Sequence, residues 1–348
     1  MRVYLIEPHS GGRISGGFLY NAKIAEFEPR VERRAVRPEW LEQDLNALTF
    51  PEPTWLLVDS LFLNAEHAAA FQRFRRGSGH RLGLLLHAFP SFIRRAEDRD
   101  ALSRALPLLP TDLELALLDE LDLVVAPGPY ALRLLESCGA RVPAVICPPG
   151  VDPDPRAPAA RRAIPGGRAE LVSIGGVTPL KGLLDAADAL SRIRSTLFRW
   201  TIVGNLDVAP DHVAELRARV QALGLGERVV FAGQRAHEET LATLRASDIL
   251  LLPSYTENHP LVALEALAAG VPVVGYEVGG LPDIVRHEEH GLLAPLLDIA
   301  GLARVLDTAI ANADLRRRLA DGCARHARQL PSWREAARGF HRALEERR

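Results

Sequence analysis

Residues 253–285, "PSYTENHPLVALEALAAGVPVVGYEVGGLPDIV", decide how the chain is read. An apolar run from Leu261 to Ala269 is interrupted by one acid, Glu265, and stops at Gly270, with Pro272 two residues on. That is the pattern of a buried helix with a glycine past its carboxyl end. Pro260 suits the first helical position, where a missing N–H costs nothing, and Asn258 or His259 is placed to cap. "VPVVGY" follows as a short, continuous apolar strand, and "DILLLPS" precedes as another. Continuous apolar strands alternating with helices mean a parallel sheet covered on both faces.

The same rhythm extends outward in both directions. "LVSIGG", "WTIVGN" and "RVVFAG" lie upstream, and before them "VYLIE", "TWLLVD", "RLGLLLHA", "LDLVVAPG" and "PAVICPPG". Between the two sets lies "GVDPDPRAPAARRAIPGGRAE" (150–170), rich in Pro, Arg and Ala. The expected fold is α/β, with two doubly wound, Rossmann-like domains facing each other across a cleft. Residues 1–160 make the amino-terminal domain and 161–330 the carboxyl-terminal one, and 331–348 form an amphipathic helix returning to the first.

Composition narrows the class. The chain has 348 residues, is 47% hydrophobic and carries a formal net charge of -2, so it offers no polyanion-binding balance and nucleic acid is not expected as a partner. Mean hydropathy is +0.01, and no apolar stretch has the length of a membrane span. The Arg-rich patches "RRAVR" (33–37), "RFRR" (73–76) and "FIRRAEDR" (92–99) read as solvated faces, with contact to an anionic membrane surface as the alternative. Three unpatterned cysteines, Cys138, Cys147 and Cys323, suit a reducing compartment and neither a disulfide framework nor a zinc site. "MRVYLIEPHS" reads as a strand, not a leader, so the protein is expected in the cytoplasm or peripheral to the inner face of its membrane.

In doubly wound sheets ligands bind beyond the carboxyl ends of strands. Those ends hold Gly16 and Gly17, His87, Gly175 and Gly176, Gly204 and Asn205, Gly233 and Gln234, and the Glu257 loop. Glu257 precedes the helix and Glu265 lies on its second turn, a separation of about 12 Å at helical rise. Such a pair does not share a proton; it can bracket an extended ligand, with N–H groups between them aimed at a diphosphate. A nucleotide sugar has that layout. The simpler reading of Glu265, a solvated position on an amphipathic helix, is disfavoured by its apolar neighbours. Lys181 is one of only two lysines, Lys23 being the other, and stands at a glycine-rich strand-to-helix turn where phosphate oxygens would collect. The turn is not a Walker loop, and no Gly-x-Gly-x-x-Gly follows a strand, which weakens a dinucleotide reading.

On these residues the chain resembles the retaining family 4 glycosyltransferases of GT-B fold. The 253–285 block is similar to their donor motif, Glu-seven residues-Glu, with Glu257 and Glu265 in the two places. "SGGFLYNAKI" resembles the amino-terminal glycine loop, "LLHAFPSF" the strand ending in an active-site histidine, "CPPGVD" the end of the first domain, "IGGVTPLKG" the diphosphate turn and "SWREAARGF" the returning helix. The resemblance implies that Glu257 meets donor-sugar hydroxyls and Glu265 the ribose hydroxyls. It implies that Lys181, with Gly175, Gly176 and Asn205 nearby, neutralises the diphosphate, helped by backbone N–H groups of Asn258, His259 and Leu261 around Pro260. Backbone near Gln234 would hold the base, Gly16 and Gly17 would approach phosphate and acceptor, and His87 would lie near the anomeric carbon. The implied reaction moves a hexose-type sugar from a UDP- or GDP-sugar to a hydroxyl acceptor (lipid, polysaccharide or small metabolite). It proceeds with retention by front-face displacement, without metal or further cofactor. Two positions depart from the pattern: Gly176 replaces the arginine that pairs with the lysine, and Asn-His-Pro follows Glu257 where Gly-Phe-Gly is commoner.

Other signals have plainer readings. The Asp-x-Asp in "VDPDP" (151–155) lies in the Pro-rich linker and reads as a turn. "RHEEHG" (286–291) reads as a surface loop, and Asp283 as a helix-start acid. The alternative functions are a nucleotide-sugar-binding protein without transfer activity, for which Gly176 is the argument, and a nucleotide-sugar epimerase on the same scaffold.

Overall fold

A computed structural model describes residues 1–9, 15–37, 41, 54–64, 67, 70–71, 80–95, 108–152 and 167–347. The "RFRR" patch, most of the Pro-rich linker with Asp154, and Gly11 and Gly12 lie outside them. The chain divides into two compact units, one from Met1–Ala96, Arg104–Gly150 and Pro331–Arg348, the other centred on Val151–Leu330.

The first unit is built on six parallel strands: β1 (Val3–Pro8), β2 (Val31–Val36), β3 (Trp55–Asp59), β4 (Arg81–Leu85), β5 (Leu123–Ala126) and β6 (Ala144–Ile146), in the order β2-β1-β3-β4-β5-β6. β3 and β5 are wholly buried, as their unbroken apolar runs require. β2 was not anticipated: its "VERRAV" reads as a charged patch because it is an edge strand with three residues turned to solvent. Helix α1 (Gly16–Phe27) follows β1.

The second unit repeats the plan with β7 (Ala169–Ile174), β8 (Phe198–Val203), β9 (Val229–Gly233), β10 (Ile249–Leu252), β11 (Val273–Glu277) and β12 (Gly291–Pro295), all parallel, in the order β12-β11-β10-β7-β8-β9. β12 is again an unanticipated edge strand. The helices used below are α2 (Leu183–Arg192), α3 (His237–Arg245), α4 (Leu261–Ala268) and α5 (Ala313–Ala327). Trp200 is fully buried; its Nε1 donates to Ser173 Oγ at 3.0 Å, and that hydroxyl donates to the Leu251 carbonyl at 2.7 Å, tying three neighbouring strands together.

Helix α6 (Trp333–Glu345) belongs to the first unit. Its start is a capping box: Ser332 Oγ accepts from Glu335 N at 3.3 Å, and Glu335 Oε2 accepts from Ser332 N at 2.8 Å. Trp333, Ala336, Ala337, Phe340 and Leu344 form one buried stripe at helical spacing and pack against α1. Trp55 Nε1 donates to the Leu344 carbonyl at 3.2 Å. Gly150 makes the approach feasible, because a Cβ there would lie 2.3 Å from Trp333 N.

Candidate functional site

In the second unit the candidate groups sit on loops at the carboxyl ends of β7 to β10. After β7 the backbone turns through Gly175 (φ 139), whose carbonyl lies so close to Gly204 that a Cβ on Gly204 would come within 1.8 Å of it. Gly175 N donates to Val203 O at 2.9 Å and Val177 N to Asn205 O at 3.0 Å, so the β7 and β8 turns are one hydrogen-bonded surface. Asn205 spends its own Oδ1 on Asp207 N at 2.7 Å, fixing that turn. The chain then makes a short 3-10 turn, Pro179–Lys181, and passes through Gly182 in the left-handed region (φ 61) into α2. A Cβ at Gly182 would lie 2.0 Å from the Pro253 carbonyl.

That contact joins the lysine turn to the loop after β10. Tyr255 N donates to Leu180 O at 2.9 Å, while Gly280 N donates to Glu257 O at 2.8 Å from the other side. The Glu257 loop is thus clamped between two glycine turns. Lys181 Nζ donates to Glu257 Oε1 at 2.7 Å, with the two side chains 29% and 10% exposed. Ser173, Gly175, Lys181 and Ser254 line a small pocket beneath this pair. The hydroxyl of Ser254 is buried and has no hydrogen-bond partner among the described residues. Gly176 does not face Lys181; a Cβ there would meet Val208 at 3.6 Å, ordinary contact distance.

Helix α4 begins one residue later than expected. Pro260 is its N-cap, not its first helical residue, and no side chain caps the start. Its φ of -67 suits either place, and its carbonyl opens the helix by accepting from Ala263 N at 3.0 Å. The carboxyl end is as expected, with Gly270 at φ 67. Glu265 is on the second turn with its side chain only 16% exposed, 3.7 Å from His237 Nε2 at the start of α3. Burial pushes its carboxyl up to about 7. His259 is pushed down to about 4 by burial, against the pull of Asp283, and its Nδ1 is buried without a hydrogen-bond partner among the described residues. Gln234 is exposed just past Gly233 (φ 71).

In the first unit His87 lies just beyond β4. Gly16 and Gly17 are not in a loop: they open α1, with Ser15 as N-cap accepting from Phe18 N at 3.3 Å. Gly17 packs on the imidazole, since a Cβ there would sit 2.9 Å from His87 Cδ2. Beneath it is a polar chain drawn from neighbouring strands and α1, buried at Glu7, Asn21 and Asp59 and reaching solvent at Arg33. Arg33 on β2 donates through Nε to Glu7 Oε1 on β1 at 3.0 Å. Asn21 Nδ2 donates to Glu7 Oε2 at 2.9 Å and lies 3.5 Å from Asp59 Oδ2 on β3. Two carboxylates facing the Asn21 amide nitrogen leave its Oδ1 for His87 Nε2 at 3.0 Å, which assigns the imidazole proton to Nε2. Burial lowers the His87 pKa, opposed by Asp59 and Glu7, and raises that of Asp59, opposed by His87. Burial outweighs the opposite charge in both shifts.

The structure therefore gathers Gly175, Lys181, Asn205 and Glu257 at one set of strand ends and holds Glu265 with His237 on the neighbouring helices. Glu7, Asn21, Asp59 and His237 were not picked out from sequence. The available signal was an acid at or next to the carboxyl end of a buried strand, "VYLIEP" and "WLLVD".

Residues 158–325 match the family described as "Glycosyl transferases group 1". The D-inositol 3-phosphate glycosyltransferase of Corynebacterium jeikeium is 32% identical over 249 residues, 67% of this chain and 59% of that protein. The enzyme of the same name from Jonesia denitrificans is 38% identical over 173 residues, 48% and 40% of the two chains. This chain thus spans about half the length of the curated relatives it matches. Sucrose-phosphate synthase from Thermosynechococcus elongatus has the same fold, with a TM-score of 0.79 at 21% identity over 99% of both chains. Anabaena HepE in complex with UDP-glucose gives 0.77 at 18% identity, over 99% of this chain and 100% of that one. The second unit thus matches the group 1 glycosyl transferases, and the whole chain has the GT-B glycosyltransferase fold.

Proposed function

We propose that this chain moves a hexose-type sugar from a nucleoside-diphosphate donor to a hydroxyl acceptor with retention of anomeric configuration. The observation that carries the reading is the Lys181–Glu257 pair, clamped at the strand ends by Tyr255 and Gly280. With no donor present, ammonium and carboxylate neutralise each other. A diphosphate would compete for Lys181, and Glu257 would then accept hydrogen bonds from sugar hydroxyls. Lys181 would stabilise charge developing on the leaving diphosphate, the largest contribution a fixed site makes to such a reaction. Glu265 would accept from the ribose hydroxyls, and the reading needs no metal or further cofactor. Asn258, His259 and Leu261 would offer backbone N–H groups to the diphosphate, and Gln234 would lie beside the base. His87, with Gly16 and Gly17 behind it, would face the sugar.

Relatives named for D-inositol 3-phosphate and a fold relative holding UDP-glucose make UDP-glucose and phosphorylated polyols the first compounds to test. Lipid and polysaccharide acceptors follow, the former with peripheral membrane contact through the first unit. A second reading, donor binding without transfer, is favoured by the missing side chain at Gly176. Calorimetry followed by a transfer assay separates the two. Lys181→Ala and Glu257→Gln are expected to lower turnover by at least a hundredfold while circular dichroism stays unchanged. Unaltered turnover in both variants refutes the assignment.

A further inference from the structure

We propose that the second unit carries another anion site, a cavity between the Arg286–His290 turn and helix α5 that binds a phosphate monoester. The cavity measures about 370 Å³, the size of small-molecule sites. It lies at the amino end of β12, whereas Lys181 and Glu257 sit at the carboxyl ends of the same parallel sheet. It is therefore at the opposite end of the fold's second layer from the donor groups, and it stands whether or not the donor reading holds.

Its walls are cationic. Arg318 and Arg325 project from α5 seven positions apart, which is two turns and one face. Neither makes an ion pair among the described residues. Arg286 faces them from the turn, and among the described residues its guanidinium pairs with exposed Glu289 at 3.5 Å, the kind of pair worth little and easily re-aimed. Between them His290 and His326 lie ring against ring, centroids 4.6 Å apart. His290 is only 4% exposed, so "RHEEHG" is not simply a surface loop. Each guanidinium offers a planar fork that matches phosphate oxygens. The opposing acids, Glu288 and Glu289, are exposed at the rim.

The backbone is shaped for this enclosure. A Cβ at Gly322 would lie 2.0 Å from the Glu289 carbonyl, so α5 touches the turn main chain to main chain. Glu288 adopts φ 63 without being glycine, a strained conformation of the kind that persists where the surroundings enforce it. Cys323 Sγ donates to His290 O at 3.2 Å and fixes the turn to the helix from below.

The test is calorimetric titration of the full chain with inorganic phosphate and with phenyl phosphate, comparing wild type, Arg318→Ala/Arg325→Ala and Lys181→Ala. Both arginines are exposed, so unaltered thermal unfolding is expected of the double variant. The proposal predicts at least tenfold weaker phosphate binding in the double variant and retained binding in Lys181→Ala, where only anion binding at the donor site is removed. Flotation with vesicles of phosphatidylcholine and phosphatidic acid distinguishes the source. Binding to these vesicles that the double variant loses identifies a lipid headgroup, and binding confined to the soluble ester identifies a metabolite. Phosphate binding that is absent, or that survives in the double variant and disappears in Lys181→Ala, overturns it.

Discussion

Replacing Glu265 by Gln isolates what it costs to keep an ionisable carboxyl on the buried face of α4. Burial moves this group from an ordinary 4.5 to about 7. Below pH 4.5 both folded and unfolded chains carry the proton, and the group costs nothing. Between 4.5 and about 7 the unfolded chain ionises first, so stability falls as pH rises. Above 7 the folded chain holds an ionised Glu265 and the loss is complete. A displacement of that size corresponds to about 3 kcal/mol in full, and to about 2 kcal/mol between pH 5 and pH 8. Gln has nearly the same shape and no such slope. Urea unfolding of both proteins at the two pH values reads the effect, since all other titrating groups are common to the pair. The midpoint difference between variant and wild type is expected to grow in favour of Gln by on the order of 1 M from pH 5 to pH 8. His237 lies 3.7 Å away, so the comparison is repeated in a His237→Ala background. Parallel pH dependence of wild type and Gln variant in both backgrounds would refute the reasoning.

Three further outcomes follow from the same geometry. UDP-glucose, whose ribose would donate to ionised Glu265, should bind about tenfold more weakly at pH 6 than at pH 8 by calorimetry, and the Gln variant should show no such trend. Gly182→Ala forces a Cβ against the Pro253 carbonyl at a positive φ; a loss of at least about 2 kcal/mol in thermal unfolding is expected, and an unchanged midpoint would contradict the close approach. Asn21→Leu strips the shared donor from two buried carboxylates; about 2 kcal/mol of destabilisation is expected, together with loss of the Nε2-protonated His87 signature in ¹⁵N NMR.

Much of the fold follows from local pattern. Ten of the twelve strands are short apolar runs ending in Gly, Pro, Asp, Glu or His, legible because a strand buried on both faces has no polar alternation. The two that escaped, β2 and β12, are edge strands, where one side is unpaired and composition is free to drift. The helix around Glu265 was also readable, apart from the one-residue shift at Pro260, since fixed φ serves the cap and the first turn alike.

What sequence alone determined is the alternation of buried strands with helices and the set of residues placed at strand ends, because periodicity and breakers act over a few neighbours. Which of those residues meet was decided only by tertiary structure. Lys181 reaches Glu257 across 76 positions, and Glu7, Asp59 and Asn21 come together under His87 only because β1, β3 and β4 lie side by side. Strand order is a property of the whole sheet, and no short-range pattern encodes which loops it brings within hydrogen-bonding distance.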